Sequence, residues 1–563
     1  MASENMVTCA DGDDSLWVEA ERAFAEGRYG DAEQLAKALL SLYPLNGTVL
    51  NLMGTILDRL ERYQEASVYY SKAITLNSQD MVAQYNLANT VKRLGDTSQC
   101  EKLLRNVLAV VPEFCDARQN LAVCCAERGC LDEAIALYEQ VVQSEPWRTG
   151  CWADLGELYH RTGSDPERAL VCLTTALERI PGNGALLSAT GDVLHELQRY
   201  REAEEYYRSA LEHDPGDACV LNNLGTNFRA QGDPVAALDC FAKALEKEPS
   251  DPSVTFNRGI TRLLLGDYKA GWEGYEARFH TVDSVYLPPL DMAVWGGEML
   301  NGRTLLVRSE QGYGDCIQFA RYLPLLSRYG GRVVFECIDA SLAPIFQRIS
   351  GIDQLLLRGD KIPAADFQIP LGSLPRIFGT DLTSIPFAHG YLSPDPERVA
   401  AILNREPRLA RHDRSKVGLV WGGRKTRLNA NRSISLDQCA PLFTLPGIRW
   451  FSLQQGPDLF QREHHPVLVD LGALCHDFAD TAAATSKLDL VITIDTAMAH
   501  LAGALGIPAW VLLKKGADWR WMLDRTDSPW YASLRLFRQE KAGEWMPVIS
   551  ECYENLAAAA KIP

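Results

Sequence analysis

The stretch that decides the fold of the second half runs from Leu488 to Leu513 and reads LDLVITIDTAMAHLAGALGIPAWVLL. Two short apolar runs, 490–494 and 509–513, bracket a segment with small residues and leucines at helical spacing. This pattern is typical of a βαβ unit in a parallel sheet. Asp495 and Thr496 follow the first run directly. Either residue can cap the helix there, and free backbone N–H groups and the helix dipole favour a phosphate.

The helix that follows offers a second polar side chain. His500 comes four residues after Thr496, so the two share one face of the helix. Strand-to-helix caps of this kind also occur in α/β proteins without a ligand, and a single histidine on a helix is often structural. The segment therefore predicts either a diphosphate site or a ligand-free cap.

Length, charge and cysteine content restrict the class of protein. A chain of 563 residues exceeds the roughly 250 to 300 residues at which single cores stop growing, so several domains are expected. Residues 1–14 are acidic and polar and resemble no signal peptide, and no apolar run is long enough for a membrane span. The net charge of −17 disfavours nucleic acid as a partner, and fifteen cysteines without a CxxC pair favour reduced thiols over structural zinc. We therefore expect a cytoplasmic protein with a flexible N-terminus and no metal.

The first half of the sequence repeats about every 34 residues. One column consists of prolines: Pro44, Pro112, Pro146, Pro181, Pro215 and Pro249. A second column consists of small residues: Gly54, Ala88, Ala122, Gly156, Gly191, Gly225 and Gly259. A third column starts at Ala66 and is followed four residues later by aromatic residues: Tyr70, Tyr138, Tyr207 and Phe241.

Three columns in one register resemble the tetratricopeptide repeat, a pair of antiparallel helices in which small residues allow close crossing. We count seven repeats from about Ser15 to Asp251 and a partial eighth, and we assign residues 15–282 to this domain. The resemblance implies an α-helical superhelix whose concave face binds a protein or peptide partner.

One column of the repeats is rich in asparagine. It contains Asn86, Asn120, Asn223 and Asn257. Asp154 occupies the same place in another repeat, and Leu52 and Ala189 interrupt the column. Asparagine carries both a donor and an acceptor, so such a column can hold a peptide backbone without reading its side chains. The alternative is that these residues cap or bridge the helices of the repeats.

After Phe279 the helical period gives way to strand-like runs that alternate with helices. Residues 283–302 form a connector rich in Pro and Gly. The runs then fall at 304–307, 332–336, 354–357, 367–369, 417–423, 448–454, 467–472, 488–494, 509–513 and 534–538. This order predicts two Rossmann-like lobes that face a cleft, at 303–397 and 398–545, and a C-terminal helix at 546–563.

Two loops carry the remaining candidate residues. The first follows the run at 304–307 and places Asp315 at the start of a helix, either as a general base on an acceptor hydroxyl or as a simple helix cap. The second follows Trp421 and contains a cluster of cations: Arg424, Lys425, Arg427 and Arg432. Such a cluster either neutralises a leaving diphosphate or is a solvated loop.

The second half resembles the bacterial heptosyltransferase-like glycosyltransferases of the GT-B fold. The motifs that carry the resemblance are GDCIQF at 314–319 and DTAMAHLAGALGIP at 495–508. The whole chain also resembles bacterial proteins that place tetratricopeptide repeats ahead of such a domain. Its plan is similar to that of the O-linked N-acetylglucosaminyltransferases of proteins.

The resemblance implies transfer of a sugar from a nucleotide-diphosphate donor, with no metal and no further cofactor. Asp315 would be the catalytic base, and a set of residues of the second lobe would contact the donor: Arg424, Lys425, Arg432, Gln454, Gln455, Asp495, Thr496, Ala497 and His500. A protein recruited by the repeats is the expected acceptor, and homo-oligomerisation is left open. The alternatives are a repeat scaffold with an inactive transferase-like domain and a sugar-nucleotide epimerase.

Overall fold

The protein is described here by a computed structural model. It describes residues 14–281, 287–423, 432–456, 461–462 and 464–560. The chain divides into two compact units, Met1–Val193 and Leu194–Pro563. Within the described residues, no helix is both long enough and apolar enough to cross a bilayer.

The repeats form sixteen helices in consecutive antiparallel pairs. They are α1 Asp14–Ala25, α2 Tyr29–Leu42, α3 Gly47–Arg59, α4 Tyr63–Leu76, α5 Met81–Arg93, α6 Thr97–Val110, α7 Cys115–Glu127, α8 Leu131–Ser144, α9 Thr149–Thr162, α10 Pro166–Leu177, α11 Gly184–Glu196, α12 Tyr200–His213, α13 Ala218–Gln231, α14 Pro234–Lys247, α15 Pro252–Leu264 and α16 Tyr268–Tyr275. The helix pairs that the 34-residue period predicts are confirmed.

The small-residue and aromatic columns of the sequence meet inside the pairs α3–α4 and α13–α14. A methyl group on Gly54 would lie 2.6 Å from the Tyr70 ring, and one on Gly225 would lie 2.7 Å from the Phe241 ring. The small residue of the first helix therefore makes room for the aromatic residue of the second. Because real contacts of this kind are longer than 3 Å, only a very small side chain fits between such closely packed helices.

The first sheet of the α/β region has five strands. These are β1 Ala293–Val294, β2 Thr304–Arg308, β3 Arg332–Cys337, β4 Gln354–Leu357 and β5 Phe367–Pro370. All pair in parallel, in the order β1-β5-β2-β3-β4. The accompanying helices are α17 Tyr313–Phe319, α18 Ala343–Phe346 and α19 Leu374–Ile377. Strand β1 lies inside the stretch that the sequence identifies as a connector, where two residues add an edge to the sheet.

The second sheet has six strands. These are β6 Ser415–Val420, β7 Ile448–Ser452, β8 Val469–Asp470, β9 Leu490–Ile494, β10 Ala509–Leu513 and β11 Leu534–Arg538. They too pair in parallel, in the order β11-β10-β9-β6-β7-β8. The helices of this part are α20 Pro396–Arg405, α21 Leu436–Cys439, α22 Phe478–Thr485, α23 Ala497–Ala504 and α24 Met546–Ala560. The prediction of two parallel sheets is confirmed.

Each sheet has one place where the strand order reverses. In the first sheet the chain leaves β2 toward β3 and β4, while β5 lies on the other side of β2. In the second sheet β7 and β8 are added on one side of β6, and β9, β10 and β11 are then added on its other side. The carboxyl ends of strands at such a switch point form a crevice, and ligands of open α/β sheets bind there.

The eighth repeat is part of the α/β core. In α16 the buried Trp272 lies edge-on to Trp519 and Trp530, with ring centroids 5.3 and 6.3 Å away. Its indole N–H donates to the Thr380 carbonyl at 2.9 Å. This repeat therefore shares one hydrophobic core with the sheets.

Candidate functional site

The first switch point carries Asp315 in the loop and helix that follow β2. One carboxylate oxygen, Oδ2, accepts a hydrogen bond from the Gly312 backbone N–H at 3.0 Å, which is the cap that the sequence allowed. The other, Oδ1, accepts from the Arg520 guanidinium of the second α/β part. About a quarter of the Asp315 side chain stays exposed. The carboxylate is thus held at both oxygens and still reaches solvent.

The second switch point lies between β6 and β9. Thr496 caps α23, and its hydroxyl accepts from the Met498 N–H at 3.3 Å. Gly423, which follows β6, lies against both Thr496 and Arg432: a methyl group on it would be 3.2 Å from Arg432 Nε and 3.4 Å from Thr496 Cγ2. A helix N-terminus and a guanidinium therefore meet at the crevice, which is the combination that binds phosphates.

Helices α17 and α23 bring the two sequence motifs into contact. A methyl group on Gly314 would lie 2.8 Å from Cδ2 of His500 and 3.6 Å from Cα of Ala497. His500 is buried, stacks on Trp521 at 5.4 Å and shares a hydrogen bond between its Nδ1 and the Tyr531 hydroxyl at 3.0 Å. Burial holds the pKa of His500 well below its usual value, so the imidazole is neutral. It spaces the two helices rather than supplying a charge.

The charges of the second switch point are only partly balanced. Burial and the negative charge of Asp518 raise the pKa of Asp495 to about 6, although Arg432 and Arg520 oppose the shift. Burial also lowers the pKa of Lys514, which follows β10 directly. The charge of Asp495 opposes the shift of Lys514 in part, so burial is the largest influence on both pKa values.

Arg520 links the two switch points. Besides Asp315, it donates to Asp518 at 2.8 Å and to the Gln318 amide oxygen, and its guanidinium lies 4.4 Å from the Trp519 ring centroid. Arg520 therefore pairs with two acids, Asp518 and Asp315, and the second of them follows a strand of the other sheet.

Gln454 and Gln455 end β7 beside the same crevice. The buried Gln454 amide is fully used by backbone: its oxygen accepts from Trp421 N and Gly422 N, and its nitrogen donates to the carbonyls of Gly422 and Gln455. The exposed Gln455 donates to the Cys475 carbonyl at 3.1 Å. Gln454 therefore shapes the loop after β6 through its side chain. Arg424, Lys425 and Arg427 lie outside the described residues.

Three members of the asparagine column donate to the preceding repeat. Asn86 donates to Asn51 Oδ1 at 3.1 Å, and Asn257 donates to Asn222 Oδ1 at 3.0 Å. Asn120 donates to both Tyr85 Oη and Asn89 Oδ1, at 3.2 and 2.7 Å. The fourth, Asn223, is half-buried in α13. The amide groups thus bridge adjacent repeats, and a contact with peptide stays a prediction.

Sequence reasoning missed Tyr275, Arg278 and Lys514. Lys514 had a usable signal, because it follows an apolar strand that flanks the predicted phosphate helix. Tyr275 and Arg278 had none, since their partners Gln311 and Glu310 lie more than 30 residues away along the chain.

Family models match the first half of the chain. Two models described as tetratricopeptide repeat match residues 18–80, 85–146, 185–247 and 222–273. A relative called Protein FlbA from Caulobacter vibrioides is 30% identical over an alignment of 321 residues, and the alignment covers 51% of this chain and 52% of that protein. The chain thus spans about half the length of this relative.

Solved structures with similar folds are repeat proteins of low identity. YrrB, described as a TPR protein with an unusual peptide-binding site, has 20% identity, covers 33% of this chain and 95% of its own, and gives a TM-score of 0.31. A tetratricopeptide repeat protein from Parabacteroides merdae has 17% identity, covers 44% and 98%, and gives a TM-score of 0.32. The family models and the sixteen helices together establish that the first half of this chain consists of tetratricopeptide repeats.

Proposed function

We propose that the protein is a glycosyltransferase of the GT-B type that moves a sugar from a nucleotide-diphosphate donor to a protein acceptor. The observation that carries the proposal is the meeting of α17 and α23. Asp315 and Thr496 lie on these neighbouring helices, although 181 residues separate them in sequence. The N-terminus of α23 at Thr496 is of the kind that binds phosphates. A base that deprotonates the acceptor and a site that binds the diphosphate of the donor must lie close together.

The second sheet would hold the donor. Arg432 and the N-terminus of α23 would bind the diphosphate, and an anion beside Lys514 would raise the lowered pKa of that lysine. Asp495, with a pKa of about 6, is protonated in part near neutral pH and then repels the diphosphate less than an ordinary aspartate would. Arg424 and Lys425 remain candidates for the same role.

The first sheet would supply the base. Asp315 takes the proton of the acceptor hydroxyl, the acceptor oxygen bonds to the anomeric carbon, and the bond from that carbon to the diphosphate breaks. The electron pair leaves with the nucleoside diphosphate, whose charge the cations of the second switch point stabilise. Arg520 keeps Asp315 oriented through Oδ1.

The repeats favour a protein as the acceptor, because surfaces of stacked helical repeats commonly bind extended polypeptide. Release of nucleoside diphosphate that requires an added protein fraction would support this acceptor class. Conversion of the sugar nucleotide without any acceptor would favour an epimerase instead.

The test of the donor site is a thermal-shift screen with UDP, GDP, ADP, CDP and dTDP and their common sugar derivatives. Saturating ligand at 100 times its Kd stabilises the native state by about 2.7 kcal/mol. Arg432→Ala is expected to weaken the binding nucleotide roughly 10- to 100-fold, because it removes charge-assisted hydrogen bonds to phosphate.

Arg449→Ala is the matched control. Arg449 lies in β7 of the same sheet and pairs with Asp413 at 3.0 Å, near the amino end of the strand and away from the crevice. This variant should bind nucleotide like the wild type. No shift with any nucleotide, or equal losses in both variants, would contradict the proposed donor site.

A further inference from the structure

The loop that presents Asp315 contains a residue in an unusual backbone conformation. Gln311 has a φ of +65°, in the left-handed region that residues other than glycine rarely adopt. Such a conformation persists only where surrounding contacts hold it. The question is therefore which contacts hold this loop.

One contact comes from α16 of the eighth repeat. The hydroxyl of Tyr275, a residue only 2% exposed, donates to the Gln311 side-chain oxygen at 2.8 Å. Gln311 lies four residues before Asp315 and directly before Gly312, whose N–H binds the Asp315 carboxylate. The Tyr275 hydroxyl is thus one hydrogen bond away from the segment that orients Asp315.

A second contact is a buried ion pair. Arg278, which follows α16, donates through Nη2 to Glu310 Oε1 at 2.9 Å and to Ser373 Oγ at 2.8 Å. Glu310 Oε1 also accepts from Gly372 N at 3.0 Å. Glu310 and Gly372 follow β2 and β5, so Arg278 joins the two strand ends that form the first switch point.

The same helix also supports the partner of Asp315. Trp272 of α16 packs edge-on against Trp519, and the Arg520 guanidinium lies over the Trp519 ring. Tyr275 lies 6.1 Å from the same ring, measured between centroids. One helix of the repeat therefore braces both sides of the Asp315–Arg520 pair.

We infer that Tyr275 and Arg278 are positioning residues for the reaction, so that the eighth repeat is a structural part of the reaction site rather than part of a recruitment surface. The inference rests on the proposed function for its catalytic meaning. The anchoring of the loop can be measured without it.

The test is Tyr275→Phe in the full chain, which removes one hydroxyl and leaves the ring. Hydrogen exchange of the peptide covering residues 309–316 should become roughly 2- to 10-fold faster, the range expected for one lost hydrogen bond. With the sugar nucleotide identified by the thermal-shift screen, kcat should fall about 10-fold or more while KM for that donor stays unchanged, because the donor binds the other sheet.

Tyr322→Phe is the matched control. Tyr322 is also buried, and its hydroxyl donates to Thr380 Oγ1 at 2.9 Å, away from the Asp315 loop. It should change neither the exchange of 309–316 nor kcat. Arg278→Lys, which keeps the charge but loses the fork of donors, should reproduce the effect of Tyr275→Phe.

The outcomes separate the inference from the proposed function. Unchanged exchange at 309–316 in Tyr275→Phe, or faster exchange with an unchanged kcat, would overturn the positioning role. Faster exchange in that variant together with no turnover in the wild type, with any sugar nucleotide, would overturn the proposed function while the loop anchor stands.

Discussion

The two switch points of the α/β region carry charged residues at equivalent places but treat them differently. At the first, Arg278 donates to Tyr275 O, Glu276, Glu310 and Ser373, and its ion pair with Glu310 is almost fully buried. At the second, burial raises the pKa of Asp495 and lowers that of Lys514. The first site pairs its buried charges directly through hydrogen bonds, although burial raises the pKa of Glu310 there as well.

This difference suggests a division of labour. A buried ion pair with good hydrogen bonds contributes little net stability but strongly favours one geometry, which suits a loop that must present a base. Charged groups that burial shifts toward their neutral forms cost stability, and a ligand of opposite charge reduces that cost. We therefore propose that the first switch point orients the base and that the second binds the donor.

The largest expected effect is on turnover, from Asp315→Asn. The amide cannot accept a proton, so kcat should fall by about 100-fold or more, while donor binding at the other switch point stays as in the wild type. The assay is release of nucleoside diphosphate, with thermal shift for binding.

Asp366→Asn provides the control for this change. Asp366 also accepts a backbone hydrogen bond, from Thr304 N at 2.8 Å, but at the amino end of β2. It should leave kcat unchanged. Loss of donor binding in Asp315→Asn would contradict the proposal that the base and the donor site belong to different switch points.

The next largest effect is expected from Gly314→Ala, which changes the contact between helices α17 and α23. The added methyl would lie 2.8 Å from His500, a side chain that the Tyr531 hydrogen bond and the Trp521 stack hold in place. Overpacking of this kind costs about 1 to 3 kcal/mol. A melting temperature lower by a few degrees and a reduced kcat are expected, whereas Gly150→Ala, at the same position of helix α9, serves as a control for the loss of a glycine without a crowded neighbour.

Local patterns predicted most of the fold. The 34-residue columns found the helix pairs because Gly54 and Tyr70 meet within one repeat, and apolar runs found nearly every strand. Contacts between distant segments could not be predicted from the sequence. Arg520 and Asp315 are 205 residues apart, and no local pattern near either residue indicates that they pair. Gln454 was predicted to contact the donor from its position at the end of a strand alone. In the structure its amide binds the loop after β6.

A smaller effect follows from the pKa of Asp495. Because its pKa is raised in the folded state, the stability that the protonated carboxyl contributes is fully present below about pH 4 and is lost as the pH rises through about 6. Asp495→Asn cannot ionise. Relative to the wild type it should therefore gain roughly 1 to 3 kcal/mol between pH 5 and pH 8, measured by denaturant unfolding.

Asp381→Asn is the control for this pH dependence. Hydrogen bonds from Thr383 and Ser384 lower the pKa of Asp381, so its ionisation is complete above pH 5. Its stability difference from the wild type should be flat between pH 5 and pH 8. A flat difference in Asp495→Asn as well would mean that the pKa of Asp495 is not raised in the folded state.

The smallest expected effect concerns the asparagine column. It tests whether these side chains are paired within the protein, as at the first switch point, or are available to a ligand, as proposed for the second. Asn120 donates two hydrogen bonds to the preceding repeat, so Asn120→Ala should lower stability by about 1 kcal/mol, whereas Ala at the exposed Asn106 of α6 should not. Such a loss would place the column with the internally paired residues. Unchanged stability would mean that these bonds contribute nothing, and the amide would then be available to hold a peptide backbone.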